Sequence, residues 1–287
     1  MTYKEDDDLV VAGTCDAKVL EDAFTFSRQA LDKATALLKT DARDLQGSSK
    51  LMVIYLDNKA AYTAYAQDLA AGPQKDENLI KNIDTTPGYG AFLCLDPAYK
   101  LNQGNSNARF HMTLHTLGHQ TMNNYAAHHG GAPIPGWIFE GFAAWLDGSV
   151  LASPGIWCSV NVDYQDGQHG NRDTTVNWDR VAFQVLKDYK DGKTDPKTGK
   201  PAYTRLGNLM GVKRANLTGP DVAVSWCLMK EMAVKPGEFK AFLDAILAGT
   251  KQTEAFQAAF KKSVDDYEKD WIKAFLKKPP AEAKPRP

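Results

Sequence analysis

Two histidines four residues apart, His115 and His119, followed after a Gly/Pro-rich turn by Glu140, limit what this chain can fold into more than any other feature. On a helix such a pair lies on one face about a turn apart, so both imidazoles reach a common point. Glu140 stands in the run Pro135-Gly136-Trp137-Ile138-Phe139-Glu140-Gly141-Phe142-Ala143. The interval after His119 leaves room for a helix end, a turn and the start of a second, antiparallel helix. Gly118 sits between the histidines, and Gly136 and Gly141 flank the carboxylate. Residues that small let two helix backbones approach until their side chains share an ion. Two imidazoles and one carboxylate suit zinc. The sequence therefore predicts a metal site of His115, His119 and Glu140 held between two packed helices.

His111 extends the histidines to an i, i+4, i+8 row. Eight residues of helix rise about 12 Å whereas zinc to nitrogen bonds are about 2 Å, so one ion cannot take all three. Either adjacent pair could bind, and Glu140 favours the later one. Without Glu140 the row would read as the polar face of an ordinary helix.

Around this segment the hydrophobic pattern changes character. Leu9-Val10-Val11-Ala12, Lys50 to Leu56 and Tyr89 to Leu95 read as strands, and Asp16 to Lys39 and Asn58 to Leu69 as helices. From Asn107 onward the histidine segment, Trp137 to Asp147, Trp178 to Tyr189 and Asp221 to Ala233 all read as helices. So does the region from Phe239, with Gly249 as a stop and Ser263/Asp266 as a cap. The fold class is α+β. A small N-terminal α/β lobe with a mixed sheet covers 1–106, and the active-site helix with a mainly helical lobe covers 107–277. A disordered tail covers 278–287. The Gly, Asp and Asn-rich stretch from Ser149 to Asn177, with Trp157, Tyr164 and His169, reads as a long loop. Trp137, Trp145, Trp226 and Trp271 read as core, and the charges of Lys4 to Asp8 and Lys187 to Lys200 as solvated surface. Asn216-Leu217-Thr218 matches a glycosylation sequon, a pattern too short to mean much alone.

With 287 residues, 43% of them hydrophobic, the chain can build substantial cores, and its net charge of -1 gives no electrostatic case for nucleic acid. No apolar stretch is long enough to span a membrane, and Met1 to Asp8 lacks the basic and apolar regions of a signal peptide. An exported protein, periplasmic or extracellular, with its leader absent would read the same, so the compartment stays open. Cys15, Cys94, Cys158 and Cys227 lack metal or redox spacing and are compatible with two disulfides or with buried thiols.

The runs His115-x-x-Gly118-His119-Gln120 and Pro135-x-Trp137-Ile138-x-Glu140-Gly141-Phe142-Ala143 resemble the peptidase MA-like gluzincins, whose pattern is H-E-x-x-H-Q followed by W-L-x-E-G-x-A. Val224-Ser225-Trp226-Cys227-Leu228, Ala248-Gly249, Ala255-Phe256 and Glu268-Lys269-Asp270-Trp271 are similar to the family's later segments, so the resemblance spans about residues 50 to 277. It implies a zincin-like fold, His115 and His119 as zinc ligands from the active-site helix, and Glu140 as the third. It also implies that the strand near Tyr89 to Leu95 rims a cleft where an extended peptide or protein segment adds to the sheet edge. Two positions depart from the family. Thr116 stands where the family's glutamate activates water, and a hydroxyl with no usable acidity near neutral pH cannot do that work. Ala144 stands where related enzymes often carry a carboxylate that orients a ligand histidine, with Asp147 as a displaced substitute.

Three functions follow. The first is a metallopeptidase homologue impaired in hydrolysis that binds metal, peptide or both. The second is an active zinc hydrolase with a substitute base, from His111, His128, His129, Tyr164 or His169. The third is a metal-free structural or interaction protein. Removing His115 or Glu140 separates the third from the others, since only there is metal content unaffected.

Overall fold

The computed structural model describes residues 1–47, 49–71, 88–89, 92–94, 108–151, 177–194 and 198–280. The N-terminal part runs β1 (Thr2–Glu5), β2 (Leu9–Gly13), α1 (Ala17–Leu38), β3 (Leu51–Leu56), α2 (Lys59–Ala71), β4 (Gly88–Tyr89) and β5 (Phe92–Cys94). The sheet order is β1-β2-β3-β5-β4. β2, β3 and β5 are parallel neighbours, with β1 and β4 antiparallel at the two edges. The mixed sheet expected from the sequence is thus present. Alternation along β3 explains why helices cover both faces. Val53 and Tyr55 enter the main core, whereas Ile54 and Leu56 meet Tyr62 and Ala66 of α2 in a second, smaller cluster.

Two details correct the strand reading. β1 is exposed along its whole length, so no apolar pattern marks it; it exists because β2 offers a pairing edge. The run read as one strand, Tyr89 to Leu95, is two, because Tyr89 pairs back onto Phe92. Among the described residues the free edge at that end is therefore β4, and β5 lies inside the sheet.

The remainder is helical: α3 (Ala108–His128), α4 (Gly136–Leu151), α5 (Trp178–Lys190), α6 (Leu206–Leu209), α7 (Gly219–Ala233), α8 (Pro236–Leu247), α9 (Gln252–Phe260) and α10 (Val264–Phe275). Local chemistry sets several of these ends. Thr218 and Asp221 close a capping box over α7. Gly249 follows α8 at φ 91°, a conformation glycine adopts without penalty. Ser263 accepts the Asp266 N–H at 3.1 Å, as the sequence predicts. One continuous apolar cluster runs from Leu9 and Val11 through α1 and α3 to Phe242 and Phe256, and it includes Trp137, Trp226 and Trp271, with half-buried Trp145 against it. α4 lies between α3 and α7 and is buried on nearly every side, which accounts for its almost uniformly apolar sequence.

Three further expectations meet the structure here. Asp6 and Asp8, read as solvated, instead hold the Arg28 guanidinium of α1, at 3.3 and 2.9 Å. Cys15 and Cys227 are thiols, which removes the arrangement with two disulfides. Cys158, Trp157, Tyr164, His169 and residues 281–287 of the expected tail lie outside the described residues. Among the described residues no helix is long and apolar enough to cross a membrane.

Glu268 shows what the C-terminal motif does. Its buried carboxylate accepts from Tyr203 Oη at 2.6 Å, Arg205 Nε at 3.0 Å and the Leu206 N–H at 2.5 Å, tying α10 to α6. Glu268→Gln keeps the volume but puts an N–H₂ where only acceptors fit. It is expected to cost about 1–3 kcal/mol, read as a lower urea midpoint; an unchanged midpoint would show that the knot contributes nothing.

Candidate metal centre

α3 lies against α1, α4 and the sheet, which buries Leu114 and Leu117 on one side and leaves the histidine row along its seam with α4. The two helices approach very closely at Gly118. A Cβ there would stand 2.7 Å from Ala143 Cα, so only glycine permits the contact. The other two glycines read as serving this approach do not. A Cβ on Gly141 would meet Ser225 O of α7 at 2.9 Å, and one on Gly136 would meet Arg214 Cα at 2.7 Å. Gly141 thus seats α4 on α7, while Gly136 admits the turn that carries Arg214.

The seam brings together the three residues expected as ligands. His115 Nε2 is 3.3 Å from Glu140 Oε2, and His119 Nε2 is 3.6 Å from Glu140 Oε1. One ligand atom from each residue lies within 4.8 Å of the others. Two atoms bound tetrahedrally to one zinc at about 2.0–2.1 Å are about 3.4 Å apart. Each histidine nitrogen lies near that distance from a different oxygen of Glu140, so the three residues are grouped closely enough that they could hold a metal ion. His115 and Glu140 are buried and His119 is nearly so.

The protonation states suit the same ion. Burial alone would raise the Glu140 pKa, but the His115 hydrogen bond and the neighbouring His119 and Arg214 outweigh it and hold the carboxyl well below the usual range. Burial, then His115, pushes the His119 pKa well below that of a free imidazole, against the pull of Glu140. Near neutral pH the site therefore combines a carboxylate with a neutral imidazole at His119, the forms that ligate metals.

Two residues around the triad carry no sequence signal. Arg214, in a short 3-10 turn before α7, places Nε 2.6 Å from Glu140 Oε1 and a terminal guanidinium nitrogen 3.4 Å from His119 Nε2. Its guanidinium carbon lies 4.5 Å from the Phe139 ring centroid, and Phe139 in turn stacks on the His119 ring at 4.1 Å between centroids. Nothing near Arg214 in the sequence marks it, and the only hint for Phe139 was its place beside Glu140.

The remaining candidates scatter. Thr116 is half-buried on the same helix as the two candidate histidines. Ala144 is buried in the apolar core. Asp147, read as the displaced substitute for the orienting carboxylate, accepts from His111 Nδ1 at 2.6 Å through Oδ1, with both side chains buried. That contact falls one turn from the triad along the same seam. His128 Nε2 donates to Gln46 O at 2.8 Å, and His129 Nδ1 donates to Tyr125 O at 2.9 Å while its ring stacks on Tyr125. Both have structural partners away from the seam.

The chain matches no protein-family model, no curated protein and no solved structure.

Proposed function

We propose that this chain is a zinc-site protein of the gluzincin kind, zincin-like in fold, whose hydrolytic machinery is degenerate. The observation that carries this reading is the buried grouping of His115, His119 and Glu140, one ligand atom from each within 4.8 Å of the others and the two imidazoles 3.3 and 3.6 Å from the Glu140 oxygens. His115, His119 and Glu140 would hold the ion. Bound zinc supplies Lewis acidity at that point. Thr116 offers a hydroxyl where proton transfer needs a carboxylate, so the protein's own residues bind and orient without supplying a base. The ligand class of this reading is an extended peptide, taken at the sheet edge that β4 forms.

The test is the zinc stoichiometry of the full chain by elemental analysis and titration, with a peptidase assay alongside. Wild type is expected to hold about one zinc per chain without turning over peptide. Loss of an orienting carboxylate weakens a metal site by about ten to a hundredfold. Removing a direct ligand by Glu140→Ala should therefore weaken it more than about a hundredfold. Wild type that takes up no zinc, with Glu140→Ala indistinguishable from it, would overturn the claim that wild type carries zinc, and the same result in a chain whose Glu140 is freed of Arg214 would overturn the site itself.

The buried His111–Asp147 pair favours a second reading, an active hydrolase. A carboxylate that accepts from Nδ1 fixes the imidazole tautomer and leaves Nε2 as the basic nitrogen. Under that reading zinc-loaded wild type cleaves peptides and His111→Ala abolishes the cleavage while retaining the zinc. Wild type inert toward peptides when saturated with zinc would remove it.

A further inference from the structure

We propose that Arg214 is an internal cation that competes with the metal for its own ligands. The proposal rests on the zinc reading above and adds to it a residue that sets the affinity. Arg214 reaches Glu140 Oε1 at 2.6 Å and His119 Nε2 at 3.4 Å, two of the atoms the ion would take. A guanidinium and a dication cannot both occupy that side of the carboxylate. Each needs the same lone pairs, and two positive charges a few ångströms apart in a buried setting repel strongly. Zinc binding at the triad therefore requires Arg214 to withdraw.

The surroundings allow that movement while favouring the inserted position. Glu140 is fully buried, so its charge needs a partner when no ion is bound, and Arg214 provides one. Phe139 gives the guanidinium an aromatic face to rest on. Gly136 lets the Arg214 backbone pack directly against the first turn of α4, the helix that carries Glu140 one turn further on. Yet 42% of the Arg214 side chain is exposed, so it has a path into solvent without unpacking the core. The consequence is a metal site whose affinity is lowered by a residue of the same chain, and a metal-free form that stays folded without an uncompensated buried carboxylate.

The experiment is a zinc titration of the full-length protein against a chromophoric chelator, comparing wild type with Arg214→Ala and Arg214→Met. Methionine keeps an apolar stem over Phe139 and so preserves packing where alanine does not. Charge-assisted hydrogen bonds of this kind correspond to roughly tenfold to a hundredfold in an equilibrium constant. Both variants are expected to bind zinc at least about tenfold more tightly than wild type at unchanged stoichiometry, and Glu140→Ala should cancel the gain. Tight binding in the variants with none in wild type supports the competition and overturns the claim that wild type carries zinc. Equal or weaker binding in both variants, with wild type still binding, overturns the competition and leaves the zinc site standing. No binding in any of the proteins overturns both.

Discussion

Thr116→Glu is expected to raise peptide hydrolysis by the zinc-loaded chain about 10²- to 10⁴-fold over zinc-loaded wild type, the usual contribution of a positioned general base. Thr116 follows His115 on α3 and is half-buried, so a longer side chain there is not forced wholly into the core. A carboxylate at that position supplies the proton acceptor that the hydroxyl cannot. The measurement is cleavage of a fluorogenic peptide library by both proteins at saturating zinc, with chelator controls and with Glu140→Ala added to the Thr116→Glu background. Activity should vanish in both controls. If Thr116→Glu binds a full equivalent of zinc and remains as inert as wild type, the chain lacks more than its base, and the site is a binding site only.

The second large effect is expected from Gly118→Val, which should unfold or severely destabilise the protein and abolish metal binding in whatever remains folded. The missing Cβ would lie 2.7 Å from Ala143 Cα and 3.2 Å from Ala143 Cβ, so the backbone of one helix has to move. Overpacking a core costs about 1–3 kcal/mol even where side chains can yield, and here the nearest neighbour is main chain. Moving α3 away from α4 also separates the histidines from Glu140. Zinc titration should therefore fail before the fold does in the milder Gly118→Ala. Ala143→Gly should not rescue it, because the closest contact is to the Ala143 backbone. A urea midpoint like that of wild type for Gly118→Val would refute this account of the seam.

The candidate site was legible because its parts are local. His115 and His119 share a helix face by period alone, and Glu140 follows within one helical hairpin, so the chain's own geometry places them side by side. The strands of the parallel sheet were visible in Val53 to Leu56 because burial on both faces demands continuous apolar sequence. β1 was invisible because exposed edge residues face no such demand.

The roles assigned to neighbouring residues fared differently. Gly118, Gly136 and Gly141 are alike in sequence, yet each meets a different partner: α4, the Arg214 turn and α7. Asp147, a displaced substitute for a ligand-orienting carboxylate by sequence, accepts a hydrogen bond from His111. Helical period tells which residues share a face but not which helix that face meets.

The sequence by itself determined the α+β class and the helix pair, and it brought forward the three ligand candidates. Each follows from hydrogen bonding and side-chain direction within a few turns of backbone. Only the tertiary structure decided that Arg214 sits on Glu140 and His119, and that Asp147 belongs to His111. Arg214 lies 74 residues beyond Glu140, and no local rule reaches that far. Its position is fixed by the packing of α4 against α7 and the turn before it, where apolar burial brings a distant charge to a carboxylate that cannot stay buried alone.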